Sequence, residues 1–238
     1  MKIILTAGGT NEKIDDVRSI TNFSTGRLGY AIGRAFTDHH RDKVEKLYYL
    51  HGFRAAYIEN DEKVEHIPID GVMDLQAAFN KLLTEEKIDA VIQAMAVSDY
   101  LVNQVTTLDK LLGRENPQNE LDFSASKIDS DIDDLIIHMK RAPKVISTVK
   151  ELSPDTTLVG FKLLSGASHG ELIDVGYNLL KKNGCDFVLA NDLKEMKDGQ
   201  HPGYLIHRDK SYDVMKNNEE IAEMIAKRVI NLREGRGI

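Results

Sequence analysis

A chain of 238 residues, 42% of them hydrophobic, is long enough to bury one large α/β core or two small ones. Its formal net charge of -7 excludes a general nucleic-acid binder, which needs a basic face to displace counterions. Cys185 is the only cysteine, so an internal disulfide and a four-cysteine zinc site are excluded, and it reads as a small buried residue. No apolar stretch is long enough to cross a bilayer and the amino terminus lacks a signal-peptide pattern, so a cytoplasmic protein without membrane contact is expected.

In chain order, hydrophobic patterning predicts strands over 2–6, 44–51, 64–68, 90–94, 157–161 and 187–190. They alternate with helices over 27–38, 73–86, 143–152, 170–183 and 218–232, apolar at helical spacing, as at Leu28, Ala31, Ile32 and Ala35. The strands are continuous apolar runs, the pattern of strands covered on both faces. The alternation predicts a Rossmann-like, doubly wound α/β fold, with a mainly parallel sheet between helices on both faces. Two further strands, 204–207 and 212–215, flank Arg208-Asp209-Lys210-Ser211 and predict a β-hairpin at a sheet edge. No repeat or interdomain linker is visible, so 1–238 reads as a single domain. The stretch 102–134 has no clear periodicity and passes through Lys127-Ile128 into an acidic run. It reads either as an active-site flap carrying Lys127 or as an irregular surface excursion.

Candidate functional residues gather at predicted strand ends. Gly8-Gly9-Thr10 closes the first strand, where open α/β sheets bind ligands, although it matches neither GxGxxG nor GxxxxGK[ST] and is also compatible with a plain tight turn. Asn22, Ser24, Thr25, Gly26 and Gly29 precede and enter the next helix. A single N-cap explains one hydroxyl there; a phosphate cradle at a helix start explains the set. Met95-Ala96-Val97-Ser98-Asp99 follows the fourth strand, and Asp99 suits Mg²⁺, a substrate hydroxyl or a turn cap. Phe161 and Lys162 end the next strand, where Phe161 either stacks on a base or packs in the core. Asn191 ends the strand after that and offers an amide for base or ribose, or for a turn. The eight histidines show no metal-ligand spacing, and no Ser/His/Asp arrangement has nucleophile-elbow spacing. Strand ends of a parallel sheet share one edge, so one nucleotide-sized site accounts for all of these residues.

Ala7-Gly8-Gly9-Thr10, Asn22-Phe23-Ser24-Thr25-Gly26, Ala96-Val97-Ser98-Asp99-Tyr100, Lys127-Ile128, Gly160-Phe161-Lys162 and Ala190-Asn191-Asp192 resemble the phosphopantothenoylcysteine synthetase family, in the family's order over nearly the whole chain. The resemblance implies a ligase that joins 4′-phosphopantothenate and cysteine through an acyl-nucleotide, using CTP or ATP with Mg²⁺ and no flavin. Gly8, Gly9, Thr10, Ser24, Thr25, Gly26 and Gly29 would hold nucleotide phosphates, and Phe161, Lys162 and Asn191 the nucleoside side. Asn22, Met95, Ala96 and Asp99 would bind the pantothenate moiety and the intermediate, with Asp99 also a candidate metal ligand. Lys127 would close over the site, making Asn22, Asp99 and Lys127 the catalytic set. Arg18 would reach the substrate phosphate across a homodimer interface. The resemblance is to a stand-alone bacterial form whose decarboxylase is a separate protein. Gly160-Phe161-Lys162-Leu163 is closer to the eukaryotic, ATP-using sequences, and Lys127-Ile128-Asp129-Ser130 keeps only the first lysine of the family's lysine motif. The other readings weighed are an NAD(P)-dependent Rossmann oxidoreductase, against which the glycine fingerprint counts, and a non-catalytic nucleotide-binding protein.

Overall fold

A computed structural model describes residues 1–59, 61–113, 127–197 and 200–236. Among these, the chain runs β1 (Lys2–Ala7), β2 (Asn11–Lys13), β3 (Ser19–Thr21), α1 (Arg27–Arg34), β4 (Lys46–His51), β5 (Val64–Pro68), α2 (Val72–Glu85) and β6 (Ala90–Gln93). It continues through β7 (Tyr100–Thr107), α3 (Leu108–Leu111), β8 (Leu135–Arg141), α4 (Val145–Leu152), β9 (Thr157–Leu164) and α5 (His169–Asn183). It finishes with β10 (Phe187–Asp192), β11 (Gly203–Ile206), β12 (Tyr212–Met215) and α6 (Asn218–Arg233).

The main sheet has eight strands in the order β12-β11-β10-β9-β6-β1-β4-β5. The run from β10 to β5 is parallel, and β11 and β12 add the expected antiparallel hairpin at the edge beside β10. β1 lies within the sheet because its side chains are apolar on both faces. Ile3, Leu5 and Ala7 join the core layer that holds Ile32 of α1 and Ile221 and Ile225 of α6, while Ile4 joins the opposite layer with Leu75 and Phe79 of α2 and Val145 of α4. Each such fully buried Ile or Leu stabilises the fold by about 1.5–3 kcal/mol relative to exposure. The parallel register places the carboxyl ends of β1, β6, β9 and β10 along one edge, as the alternation required.

Three local features differ from the sequence expectation. The first helix does not run unbroken to Asp38; α1 gives way at Ala35 to a π-turn over Ala35–His39. The segment between β1 and α1 holds a small antiparallel ladder, β2 with β3, whose three-residue strands are too short to leave a periodic signal. The stretch 102–134 is not irregular throughout. β7 and β8 form a two-stranded antiparallel arm with one register shift between Val102 and Gln104, and that shift interrupts the alternation. The middle of the expected flap, 114–126, lies outside the described residues.

Gly29 on α1 sits against β1, and a Cβ there would lie 2.6 Å from the Ala7 Cβ. The helix therefore rests on the strand with no room for a methyl group. Gly29→Ala is expected to destabilise the protein by about 1–3 kcal/mol through overpacking. Thermal unfolding followed by circular dichroism checks this; an unchanged Tm would mean that α1 is free to lift off the sheet.

Candidate active site

A cavity of about 620 Å³, in the range of small-molecule sites, opens beyond the carboxyl end of β1. Its floor is Gly9, its wall the Thr21–Thr25 segment, and its rim Arg18 on one side and Phe53-Arg54 on the other. The floor is made by backbone. Ala96 N–H donates to Gly8 O (2.8 Å) and Thr10 N–H to Ala96 O (3.1 Å), which carries the β1–β6 pairing past the strand ends. Asn22 Nδ2 donates to the same Ala96 oxygen at 3.2 Å, laying its segment across Gly9. A Cβ on Gly9 would meet Asn22 O at 2.8 Å. Gly8 and Gly26 take the left-handed φ values of 81° and 67° that favour glycine.

Of the residues expected at the site, the cavity gathers Gly9, Arg18, Asn22, Ser24 and Thr25. Gly8 and Gly26 lie directly beneath it, against Ala55. Neither Ser24 nor Thr25 caps α1: the N-cap is Gly26 with no side-chain cap, so the single-cap explanation of these hydroxyls falls away. Thr10 is wholly buried and cannot face a ligand with its side chain. Its hydroxyl accepts from Ser98 N–H at 2.9 Å and bonds Glu12, tying the first turn to the segment that bears Asp99. Gly29 is likewise buried, against Ala7. The Met95 side chain is in the core and its N–H donates to Thr6 Oγ1 at 2.9 Å.

The remaining candidates lie outside the cavity wall. Asp99 is exposed and ion-paired with Lys144. Phe161 is partly buried on the sheet face that carries α1 and α6, and the register puts Asn191 on that same face one strand over. Lys162 projects to the other face. Asn191 is buried, its Nδ2 at 2.8 Å from His201 Nε2. Lys127 is exposed, but its neighbour Ile128 is only 2% exposed and firmly held. Among the described residues, no group of three or more His, Cys, Asp or Glu side chains is placed to hold a metal.

Asp15 holds Ile128. Its carboxylate accepts from Val17 N–H (2.8 Å), Arg18 N–H (2.6 Å), Arg18 Nε (2.9 Å) and Ile128 N–H (3.1 Å), while Arg18 donates to Ile128 O at 2.6 Å. Burial pushes the carboxyl group up, but Arg18 and these backbone donors outweigh it and hold its pKa far below the usual carboxylate range. In one chain, then, part of the Arg18 guanidinium is spent on joining the end of the flap stretch to the cavity rim.

Sequence reasoning missed Phe53 and Arg54. Phe53 is 89% exposed, Phe23 opposite is fully exposed, and Arg54 pairs with no described carboxylate. The strand-end argument applied to β4 finds them, since His51-Gly52-Phe53-Arg54 is its exit. Their loop is fixed from below: Tyr49 Oη donates to Ala56 O at 2.7 Å, Ala56 N–H donates to Thr25 O at 3.0 Å, and Tyr57 stacks on His66 with centroids 3.7 Å apart. Lys144 and His201 were also missed, because only the fold brings them to Asp99 and Asn191. Two Tyr-x-x-x-Lys spacings occur, Tyr177 to Lys181 and Tyr212 to Lys216, but Tyr177, on α5, donates to Arg208 O, Tyr212 lies on the edge strand, and neither lines the cavity.

Fold and site define a Rossmann-like α/β protein with a small-molecule cavity at the carboxyl edge of its sheet. Residues 1–232 match the DNA/pantothenate metabolism flavoprotein C-terminal domain, and the chain belongs to this family, the one its motifs pointed to. The coenzyme A biosynthesis bifunctional protein CoaBC of Thermococcus kodakarensis is 32% identical over 208 residues, 87% of this chain and 45% of that protein. The Bacillus subtilis protein of the same name is 26% identical over 195 residues, 81% of this chain and 40% of that protein. The chain thus spans about half the length of the curated relatives it matches. The crystal structure of the DNA/pantothenate metabolism flavoprotein from Streptococcus pneumoniae superposes with a TM-score of 0.84 at 32% identity, covering 98% of this chain and 99% of that one. Cab2 mutant H337A, in complex with phosphopantothenate-cysteine, shares the fold at a TM-score of 0.71 and 19% identity, over 99% of this chain and 87% of that one.

The Asp15 clamp has a pH signature. A carboxyl whose pKa is lowered in the fold stabilises fully above its unfolded value near 4, and that contribution is lost as pH falls below it. Asp15→Asn is therefore expected to have a lower Tm than wild type at neutral pH, with the gap narrowing as pH drops below about 4. Paired melting curves across that range check it; a gap independent of pH would show that the ionised carboxylate contributes nothing.

Proposed function

We propose that this chain is a phosphopantothenate–cysteine ligase acting in coenzyme A biosynthesis. One observation carries the reading: the two most specific motifs of the resemblance, Asn22–Gly26 and Ala96–Tyr100, meet at the Asn22 to Ala96 hydrogen bond, next to Gly9 and Asn22 of the cavity lining. The relatives named for coenzyme A biosynthesis support it. The substrate carboxylate attacks the α-phosphorus of CTP or ATP and pyrophosphate leaves. The cysteine amine then attacks the acyl-nucleotide carbonyl, loses a proton, and expels the nucleoside monophosphate to give the amide.

The residues work by position and charge. The turn at Gly8-Gly9, the Ser24 and Thr25 hydroxyls and the start of α1 receive phosphate oxygens. Asn22, fixed to Ala96 O by one amide proton, turns its oxygen and second proton to the pantothenate moiety. Arg54 meets phosphate at the rim, and Lys127 adds charge from the flap over 102–134. Among the described residues, Asp99 is the carboxylate that the motifs offer to a metal, and it is already paired with Lys144. A Mg²⁺ ion bound together with the triphosphate would be held on the protein side by Asp99 and would supply positive charge near the phosphates. Residues 1–238 act as one nucleotide-binding synthetase domain in the cytoplasm. A homodimer places Arg18 at the neighbouring site, and a decarboxylase activity takes the product.

A pyrophosphate-release assay with 4′-phosphopantothenate, cysteine, Mg²⁺ and CTP or ATP tests the proposal; no release with either triphosphate refutes it. Asn22→Asp cannot donate to Ala96 O. It is expected to lower kcat about 100-fold with Tm nearly unchanged. Turnover at the wild-type rate would remove Asn22 from the machinery.

A further inference from the structure

The side chain behind Asn191 decides what that residue offers a ligand. His201 lies in the segment between β10 and β11, held by its N–H to Lys216 O at 2.9 Å. One ring nitrogen, Nε2, is 2.8 Å from Asn191 Nδ2. The ring also meets Asn218, at the start of α6, whose Oδ1 is buried with no hydrogen-bond partner. An orphaned buried acceptor is costly, and a proton on His201 Nδ1 relieves it. That tautomer leaves Nε2 as an acceptor, which Asn191 Nδ2–H fills. The chain of donors then runs one way, from Asn191 to His201 to Asn218, and Asn191 Oδ1, which accepts from no described residue, is left as a fixed acceptor at the ligand edge.

Building on the ligase reading, we propose that His201 is a positioning residue that locks the Asn191 amide so that its carbonyl oxygen accepts a hydrogen bond from the nucleoside. Asn191 lies on the same sheet face as Phe161 on the neighbouring strand, the face that carries α1 and α6, so a nucleoside running from the Gly8-Gly9 turn along the edge reaches it. The donor it selects is an exocyclic amine, which CTP and ATP carry and UTP and ITP lack, or a ribose hydroxyl. Burial holds the His201 pKa below its usual value, with Asn218 drawing it part of the way back, so the ring is neutral at pH 7. Among the described residues no charged side chain adds to that balance; Glu219 and Glu220, in the first turn of α6, are exposed. Protonation makes Nε2 a donor and favours the flipped amide, which presents NH₂ instead of oxygen.

Calorimetric titration of the intact chain with CTP, ATP, UTP, ITP and the 2′- and 3′-deoxy forms of CTP and ATP tests this, comparing wild type with His201→Gln and His201→Ala. Wild type is expected to prefer donor-bearing nucleotides by about tenfold, the value of one hydrogen bond. His201→Ala should lose that preference. His201→Gln, whose side-chain oxygen accepts from Asn191, should keep it. Lowering the pH far enough to protonate His201 should shrink the preference in wild type but not in His201→Gln. Loss of the CTP/UTP and ATP/ITP ratios assigns the amine, and loss of a ribo/deoxy ratio assigns that hydroxyl. If wild type and His201→Ala share all ratios and both pH profiles while the ligase assay succeeds, this inference alone falls. If wild type binds no nucleotide, the ligase reading falls first and takes the inference with it.

Discussion

The candidate site depends on a crowding of main chain. Where β1 ends, Gly9 is pressed by the Asn22 segment, by the Ala96 segment and by Gly52. A Cβ on Gly52 would fall 2.4 Å from Gly9 O, and one on Gly9 would fall 2.8 Å from Asn22 O. These stretches, distant in sequence, can meet there only because Gly9 and Gly52 carry no side chain. Their peptide groups then satisfy one another and form a floor, and everything that faces the cavity stands around it.

Two pinned residues extend that floor outward. Thr10, wholly buried, passes the position of the first turn to Ser98, and Asp15 passes the position of the rim to Ile128. Both are polar groups spent on the protein rather than on a ligand. They place the Asp99 segment and the base of the β7–β8 arm relative to Gly9, so that charged groups on separate elements hold a common register.

Most of the main sheet was legible because its strands are apolar on both faces and its helices amphipathic. Val64–Pro68 and Tyr212–Met215 fall on the expected bounds, and β1, β6, β9 and β10 differ only at their ends. The β2–β3 ladder and the β7–β8 arm were not legible. The first is held by few ladder bonds and by Asp70 O accepting from Asn11 N–H, the second by pairing across a register shift. At the site, glycine and asparagine announced themselves by type. Thr10 and Gly29 misled for the same reason, since a hydroxyl or a glycine next to a phosphate hook has the same sequence whether it faces the ligand or the core. Lys144 and His201 were invisible, because their meaning comes only from the partner the fold supplies.

The main-chain floor also bears on how such a site resists change. A molecule that drew its hydrogen bonds from the peptide groups around Gly8, Gly9 and Ala96 would address atoms that every residue supplies, save the N–H that proline lacks. Substitutions that reshape the turn meet neighbouring atoms at under 3 Å and damage the fold before they weaken the contact. Escape would have to come from the rim, at Arg18, Phe23, Phe53 or Arg54, where side chains are exchangeable. An inhibitor confined to the floor would leave it little room.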